Sequence, residues 1–294
     1  MYIKIEDYSH GRPILFGQNS VRTPFSVQMV GTDVRPDSSG KQSVPEGSFI
    51  VAVGSSIRFL PRARVTDTIT TTEPTVVVAK PSQNFKEGDV LYPQAGYGEI
   101  AFEGTAVSGD IVSIRIGNLG VFTVTSSGTT ATDVATFVTD HATALSTNGV
   151  YISQKGAGST LVIYSTDSHA IDISCSGENY NPRLISTEPG FLGDNIIPLG
   201  TVTSIGNVNT SGIRVLTLAA NAPYSVPAGV PVGVNVDKYL GIYPDPIDFY
   251  KEPVKHIAPI AECDGVYEQN LPYIDMQLKR KFSDLRINKR FYKA

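Results

Sequence analysis

A mainly β fold is predicted by three features of this 294-residue chain. Charged residues make up only 18%, below the usual quarter. Thr, Ser, Gly and Val fill the gap, which is the composition of a strand- and turn-rich protein with a hydroxyl-covered surface. Short β-branched runs recur between Gly and Pro punctuation. A single long helical periodicity occurs in the first 260 residues.

The elements follow in order. Residues 1–40 read as an extended arm, because apolar stretches at 14–16 and 25–30 are broken by polar, Gly and Pro residues. Residues 33–41 (DVRPDSSGK) have the composition of a flexible loop. Such an arm orders itself by pairing with something else. Strands are predicted at 48–53 (SFIVAV), 56–60, 65–70 and 75–79, then at 90–92 after the Gly88-Asp89 turn, and at 97–102.

Residues 105–176 change character. Two alternating runs, 111–116 and 121–125, are joined by Gly117-Asn118-Leu119-Gly120, a hairpin signature. Val134, Phe137, Val138, His141 and Leu145 then share one face of a helix over 129–147. Thr130 is expected to cap it with Asp133 three residues on, and Gly149 follows its end. Strands at 150–153, 161–165 and 170–174 complete a compact ββαββ module. Residues 177–200, with three prolines, read as a linker. Strands resume at 200–205, 215–218, 230–236 and 239–243, then 256–262 and 265–267. Residues 245–253 read as loop. Leu271-Pro272 opens a final helix whose inner face is Ile274, Leu278, Phe282 and Leu285.

Charge and cysteine content narrow the function. The net charge of −4 and pI near 5.6 make nucleic acid a poor partner. Lys279, Arg280, Lys281, Arg286, Lys289, Arg290 and Lys293 crowd the C-terminal end. They read as a solvated face or as an arm that docks on an acidic protein surface. Cys175 and Cys263 lack the count for a disulfide framework or a zinc site, so buried free thiols are expected. The first residues lack the apolar core of a signal peptide, and no run is long enough to span a bilayer. The expected product is soluble and made in a reducing cytoplasm.

Chemistry-bearing motifs are sparse. Phosphate-cradling loops, GxSxG, HExxH and calcium-loop spacing do not occur. Gly96-Tyr97-Gly98 is a lone GxG, read as a turn. The histidines, His10, His141, His169 and His256, are scattered. His141 is expected to be half-buried and satisfied. His169, with Asp167 and Asp172 nearby, offers a weak metal pair. Asp245 and Asp248 suit turn chemistry better than calcium. No catalytic, cofactor-binding or metal-ligating residue is therefore assigned, and no enzyme is expected.

Several segments together resemble a family. FKEGDVLYP (residues 85–93), PLGTVTSIGNVNTSGIRVLTLAANAPYSVPAGVPVGV (198–234) and KYLGIYPDPIDF (238–249) are similar to bacteriophage head decoration, or capsid cement, proteins of the lambda type. The shared order is a Gly turn leading into a strand, a GTVTS strand, a second strand, a PAG turn and a GI strand. Residues 259–282 resemble the end of that family. Residues 105–176 resemble a small module inserted in phage head and tail proteins.

The resemblance implies a β-tulip, barrel-like capsid-binding domain made of 44–104 plus 177–294, an inserted ββαββ module at 105–176 and an extended N-terminal arm at 1–43. It implies a virion protein on the capsid exterior whose partners are the major capsid protein and copies of itself, as a trimer in preference to a dimer. No nucleic acid, membrane or cofactor is expected. A tail or baseplate structural protein is the alternative. A third reading is a virion glycan-binding protein that uses Tyr151 and Tyr164 as sugar platforms.

Overall fold

The computed structural model describes residues 15–22, 27–31, 34–45, 47–79, 82–166, 169–185, 193–194, 197–243, 247–249, 253–257, 259–267, 286–287 and 291–292. Among them are twenty-five strands and one helix, so the fold is mainly β. The first nine strands are β1 (Leu15–Arg22), β2 (Val27–Val30), β3 (Ser43–Val44), β4 (Ser48–Val53), β5 (Ser56–Phe59), β6 (Arg62–Arg64), β7 (Thr75–Val78), β8 (Val90–Pro93) and β9 (Gly96–Gly104). A central group follows: β10 (Ile111–Ile116), β11 (Val121–Thr125), α1 (Thr130–Ser146), β12 (Val150–Gln154), β13 (Thr160–Ser165), β14 (Ile171–Cys175) and β15 (Tyr180–Ile185). Then come β16 (Gly193–Asp194), β17 (Gly200–Ile205), β18 (Arg214–Leu218), β19 (Pro231–Gly233), β20 (Lys238–Tyr243), β21 (Ile247–Asp248), β22 (Val254–Ile257), β23 (Ile260–Tyr267), β24 (Arg286–Ile287) and β25 (Phe291–Tyr292).

Six strands form a curled sheet in the order β6-β19-β8-β17-β18-β7. Its two edges meet. Beyond β6 the chain crosses to β7, where Val65 bridges Val78, Thr66 N–H donates to Val77 O and Ala79 N–H donates to Arg64 O. Alternate residues point inward: Val76 and Val78, Leu91, Val202, Leu216 and Leu218, and Val232 share one core with Ala63, Val65 and Phe85. The predicted strand at 65–70 therefore shifts to 62–64. Residues 65–69 act as the seam, with Ile69 bridging Val226.

The central group packs as layers around a second core. One sheet runs β11-β10-β14 and another runs β12-β13-β9-β15, with α1 packed between strands of both. Val112, Ile114, Ile116, Val124, Val134, Phe137, Leu145, Ile152, Leu161 and Ile163 fill this core with Ile100 and Phe102 of β9. The ββαββ pattern thus recruits strands on both sides of 105–176, because β13 pairs with β9 and β9 with β15. Two sequence expectations change here. Gly96-Tyr97-Gly98 lies in β9, in register with Ser165, Tyr164 and Ile163, and not in a turn. Within 177–200, residues 180–185 form a strand. Pro182 is tolerated because β15 is the sheet edge, where a missing N–H breaks no ladder.

A third core joins Met29, Val34, Val44, Ile50, Phe59, Ile247, Phe249 and Ile257. It underlies the sheet β1-β23-β20-β4-β5. The described part of the 33–41 loop is pinned, contrary to its composition. Val34 is buried, Asp37 Oδ1 accepts Ser39 N–H, Ser39 O–H and Lys41 N–H, and Arg35 reaches Glu87 at 3.2 Å. The predicted helix at 271–285 and residues 1–14 of the predicted arm lie outside the described residues.

Candidate functional site

Three features set the candidate working surfaces: a ribbon built from both chain ends, a tyrosine joint, and a set of buried charges. The ribbon begins where β23 runs on beyond β20 within their shared sheet. β23 is tied to β20 by a single register pair, Ile242 with Ile260. From there one edge of β23 carries β1, antiparallel, with Leu15 opposite Val266 and Ser20 opposite Cys263. Its other edge carries the C-terminal β24 and β25 in parallel, with Glu262 opposite Arg286 and Val266 opposite Phe291. The extended arm predicted from the sequence is thus paired within its own chain over 15–22 and 27–30, since β2 also pairs with β22. Of the C-terminal basic residues, Arg286 falls on β24 and the other six lie outside the described residues.

The joint lies between the curled sheet and the layered unit. β12 and β13 bury both faces. Val150 and Ile152 point to the second core, while Tyr151, Val162 and Tyr164 point into the first. The Tyr151 ring lies on the backbone of Gly229, in the PAG turn; a Cβ there would stand 2.2 Å from the ring. Gly229 has φ +93°, a conformation that also favours glycine. Arg64 Nη1 donates to the Tyr151 hydroxyl at 3.0 Å. Tyr164 packs on Tyr97 at 5.1 Å, and the Tyr97 hydroxyl donates to Glu99, which also holds Lys155 at 2.9 Å. Burial first, then the Glu99 carboxylate, pushes the Tyr97 hydroxyl well above its ordinary range. Tyr151 and Tyr164 are therefore core residues and present no ring face to a sugar. Continuous apolar runs such as LVIY, with no polar alternation, are the sequence signal for such two-sided burial.

Arg58, Asp89, Arg214 and Asp133 are buried charged residues held by hydrogen bonds. Arg58 grips Asp89 through two bonds, 2.6 and 3.2 Å, with both side chains almost wholly buried. Asp89 also accepts Lys86 N–H, so the Gly88-Asp89 turn is locked to β5. Arg214 is 2% exposed. Its guanidinium donates to Ser82 Oγ, Gly206 O and Pro36 O. Burial, with the nearby Arg35 charge, holds it below the usual arginine range. Asp133 accepts four bonds, from Ser126 O–H, Tyr180 O–H, Ser127 N–H and Ser127 O–H. The helix cap differs from expectation accordingly. Thr129 is the N-cap with no side-chain bond, and Asp133 turns inward to these donors rather than boxing with Thr130.

The remaining candidates are dispersed. His141 is half-buried between Phe122 and Phe137, and its Nε2 bonds Thr123 O at 2.8 Å. His169 is buried, with Nδ1 on the Ser165 hydroxyl, while Asp172 is exposed on β14 opposite Arg115. Asp167, Asp245 and His10 lie outside the described residues. Asp248 pairs with Lys41 at 3.3 Å, and His256 is exposed on β22. Cys175 is half-buried and accepts Gly177 N–H; Cys263 is placed by its backbone on β23. Among the described residues, no three His, Cys, Asp or Glu side chains gather into a metal-binding group, and no helix is long and apolar enough to cross a membrane. No family model, curated protein or solved structure matches the chain.

Proposed function

We propose that this chain is a structural protein of a bacteriophage particle, and that it binds the outer surface of the assembled capsid and stabilises it by bridging neighbouring major capsid protein subunits. The observation that carries the reading is the terminal ribbon. Main-chain pairing along extended strands supplies affinity without a pocket, and both chain ends meet on one strand that runs on beyond β20. The motif order supports it: the FKEGDVLYP turn leads into β8, GTVTS is β17, the PAG turn precedes β19, and KYLGIY is β20. The family order therefore falls on adjacent strands of one curled sheet and its neighbour.

A protein that binds only the assembled lattice stabilises it by mass action. Repetition over a symmetric shell multiplies weak contacts into avidity. The test is cryo-electron microscopy of expanded heads lacking decoration, mixed with the purified protein. Ordered density at repeated lattice positions is the expected result. Bare heads beside free protein would overturn the capsid role and move the assignment to the tail.

A further inference from the structure

We propose that His141 guards a sheet edge: by holding Thr123 O it keeps β11 from pairing with the β11 of a second copy of this chain. The inference does not depend on what surface the protein covers.

Three observations lead to it. First, β11 is the outer strand of the sheet β11-β10-β14. Its ladder with β10 runs unbroken from Val121 opposite Arg115 to Thr125 opposite Ile111. Ile116 N–H donates to Gly120 O at one end of the hairpin, and Ser126 N–H donates to Asp110 O at the other. That parity turns the backbone groups of Val121, Thr123 and Thr125 away from β10. Second, the strand gives this edge no protection of its own. VFTVT holds no charge, no proline and no bulge, and Val121, Thr123 and Thr125 are exposed. An edge of that kind is a template for another strand. The other edges of the layered unit differ. β14 carries Asp172, β15 carries Pro182 and Arg183, and Gln154 of β12 donates to Ala131 O of α1. Third, the middle acceptor of the β11 edge is already taken. His141 reaches from α1 to Thr123 O at 2.8 Å, with its ring between those of Phe122 and Phe137 at 5.4 and 4.7 Å. A carbonyl only accepts, so Nε2 carries the proton. The imidazole stands where the N–H of an incoming strand has to come.

The register names the occupant. An antiparallel pair of β11 strands centred on Thr123 sets Val121 of each copy opposite Thr125 of the other. No charge then meets a charge, and each strand offers the other the same outward backbone groups, as a two-fold contact requires. Such pairing forms only when both copies release the bond from His141.

Full-length His141→Gln and His141→Leu variants separate the bond from the packing. The Gln amide nitrogen comes close to the place of Nε2, whereas Leu fills the space of the ring without a donor. Association is measured by sedimentation velocity across a concentration series, beside the unmodified protein, with urea midpoints to establish folding. His141→Leu is expected to raise the association constant about 30-fold, the yield of two ordinary hydrogen bonds that no longer break on pairing. His141→Gln is expected to stay near the unmodified value. Thr123→Lys added to His141→Leu should abolish the gain, since the two-fold brings two ammonium groups face to face. No gain in His141→Leu overturns the proposal. So does an equal gain in His141→Gln, or a gain that survives Thr123→Lys. Should His141→Leu not fold, His141→Asn, polar but too short to reach Thr123 O, is read by the same criteria.

Discussion

The layered unit and the curled sheet differ in how far along the chain their buried charged side chains reach for partners. In the layered unit Asp133 takes three of its four bonds from Ser126 and Ser127, within seven residues in sequence, and the fourth from Tyr180, 47 residues away. In the curled sheet and its neighbour the buried charges are arginines and the carboxylate Asp89. Arg58 reaches across 31 residues to Asp89, and Arg214 across 178 to Pro36. Local satisfaction lets a unit organise before its surroundings do. Distant satisfaction makes each charge a lock that closes only when remote segments have arrived. The curled sheet is therefore the cooperative, topologically expensive half, since its contacts must offset the entropy of closing long loops.

The largest effect is expected where a lock is cut on one side. Arg58→Ala leaves Asp89 buried without its ion-pair partner, at a cost of about 3–5 kcal/mol. Urea unfolding of this variant should show a large fall in midpoint. Arg58→Met with Asp89→Leu removes both charges and should recover most of the loss, since matched apolar replacements of buried pairs are often neutral. A double variant as unstable as the single one would break the claim that the charge drives the effect.

A smaller effect is expected at the joint. Gly229→Ala adds a Cβ 2.2 Å from the Tyr151 ring at a φ of +93°, a strain of about 1–3 kcal/mol. Tyr151→Leu in the same chain should relieve the clash without relieving the backbone strain. Hydrogen exchange should show the turn around Gly229 opening faster while the amides of α1 stay protected, because Val134 and Phe137 pack in the other core. Equal loss of protection in α1 would mean that the two cores unfold as one unit.

The same contrast decided what could be read from sequence. The hairpin of β10 and β11, the helix and the strands after it were legible, because period 2 and period 3.6 are local signals. Closure of the curled sheet was not. It depends on Val65 meeting Val78 and on β6 pairing with β19, partners that no short window contains. Pro182 disguised β15 as linker, because proline argues against a strand until the strand is known to be an edge. Tyr151 and Tyr164 were misread for a related reason. An aromatic on a strand suits a binding face or a core equally, and only the second layer of packing decides. The terminal ribbon pairs the first described residues with nearly the last, so its partners were hidden while its extended character was visible.

The alkaline limb of stability sharpens the comparison further. Burial, then the bond to Asp133, pushes the Tyr180 hydroxyl far above the ordinary tyrosine range near 10, and Tyr97 behaves alike beside Glu99. The native state therefore keeps protons that the unfolded chain releases near pH 10. Stability is whole below that pH and declines above it, by at most about 1.4 kcal/mol per pH unit for each tyrosine. Tyr180→Phe should lose about 1–2 kcal/mol at pH 8, since Asp133 loses a donor, yet its stability should fall less steeply from pH 10 to 11. Unfolding free energies measured across pH 8–11 check both statements, and an unchanged alkaline slope would break the assignment.

The smallest effect is expected at Glu103 and Arg183, which meet diagonally across β9 and β15. Arg183 Nε donates to Glu103 Oε2 at 2.7 Å and Nη2 donates to Oε1 at 2.9 Å. The geometry is bidentate, and the Arg183 bond holds the Glu103 carboxyl below its usual range. Its contribution is present above the ordinary glutamate pKa and fades as pH falls through the lowered one. The pair is fully open to water, however, where counterions and side-chain entropy offset most of the attraction. Glu103→Gln should leave the melting temperature unchanged within error at neutral pH, with and without added salt. A clear fall would mean that this edge is held by its ion pair as the interior is held by Arg58 and Asp89. The division between distant buried locks and a passive surface would then fail at the very edge where β15 must tolerate Pro182.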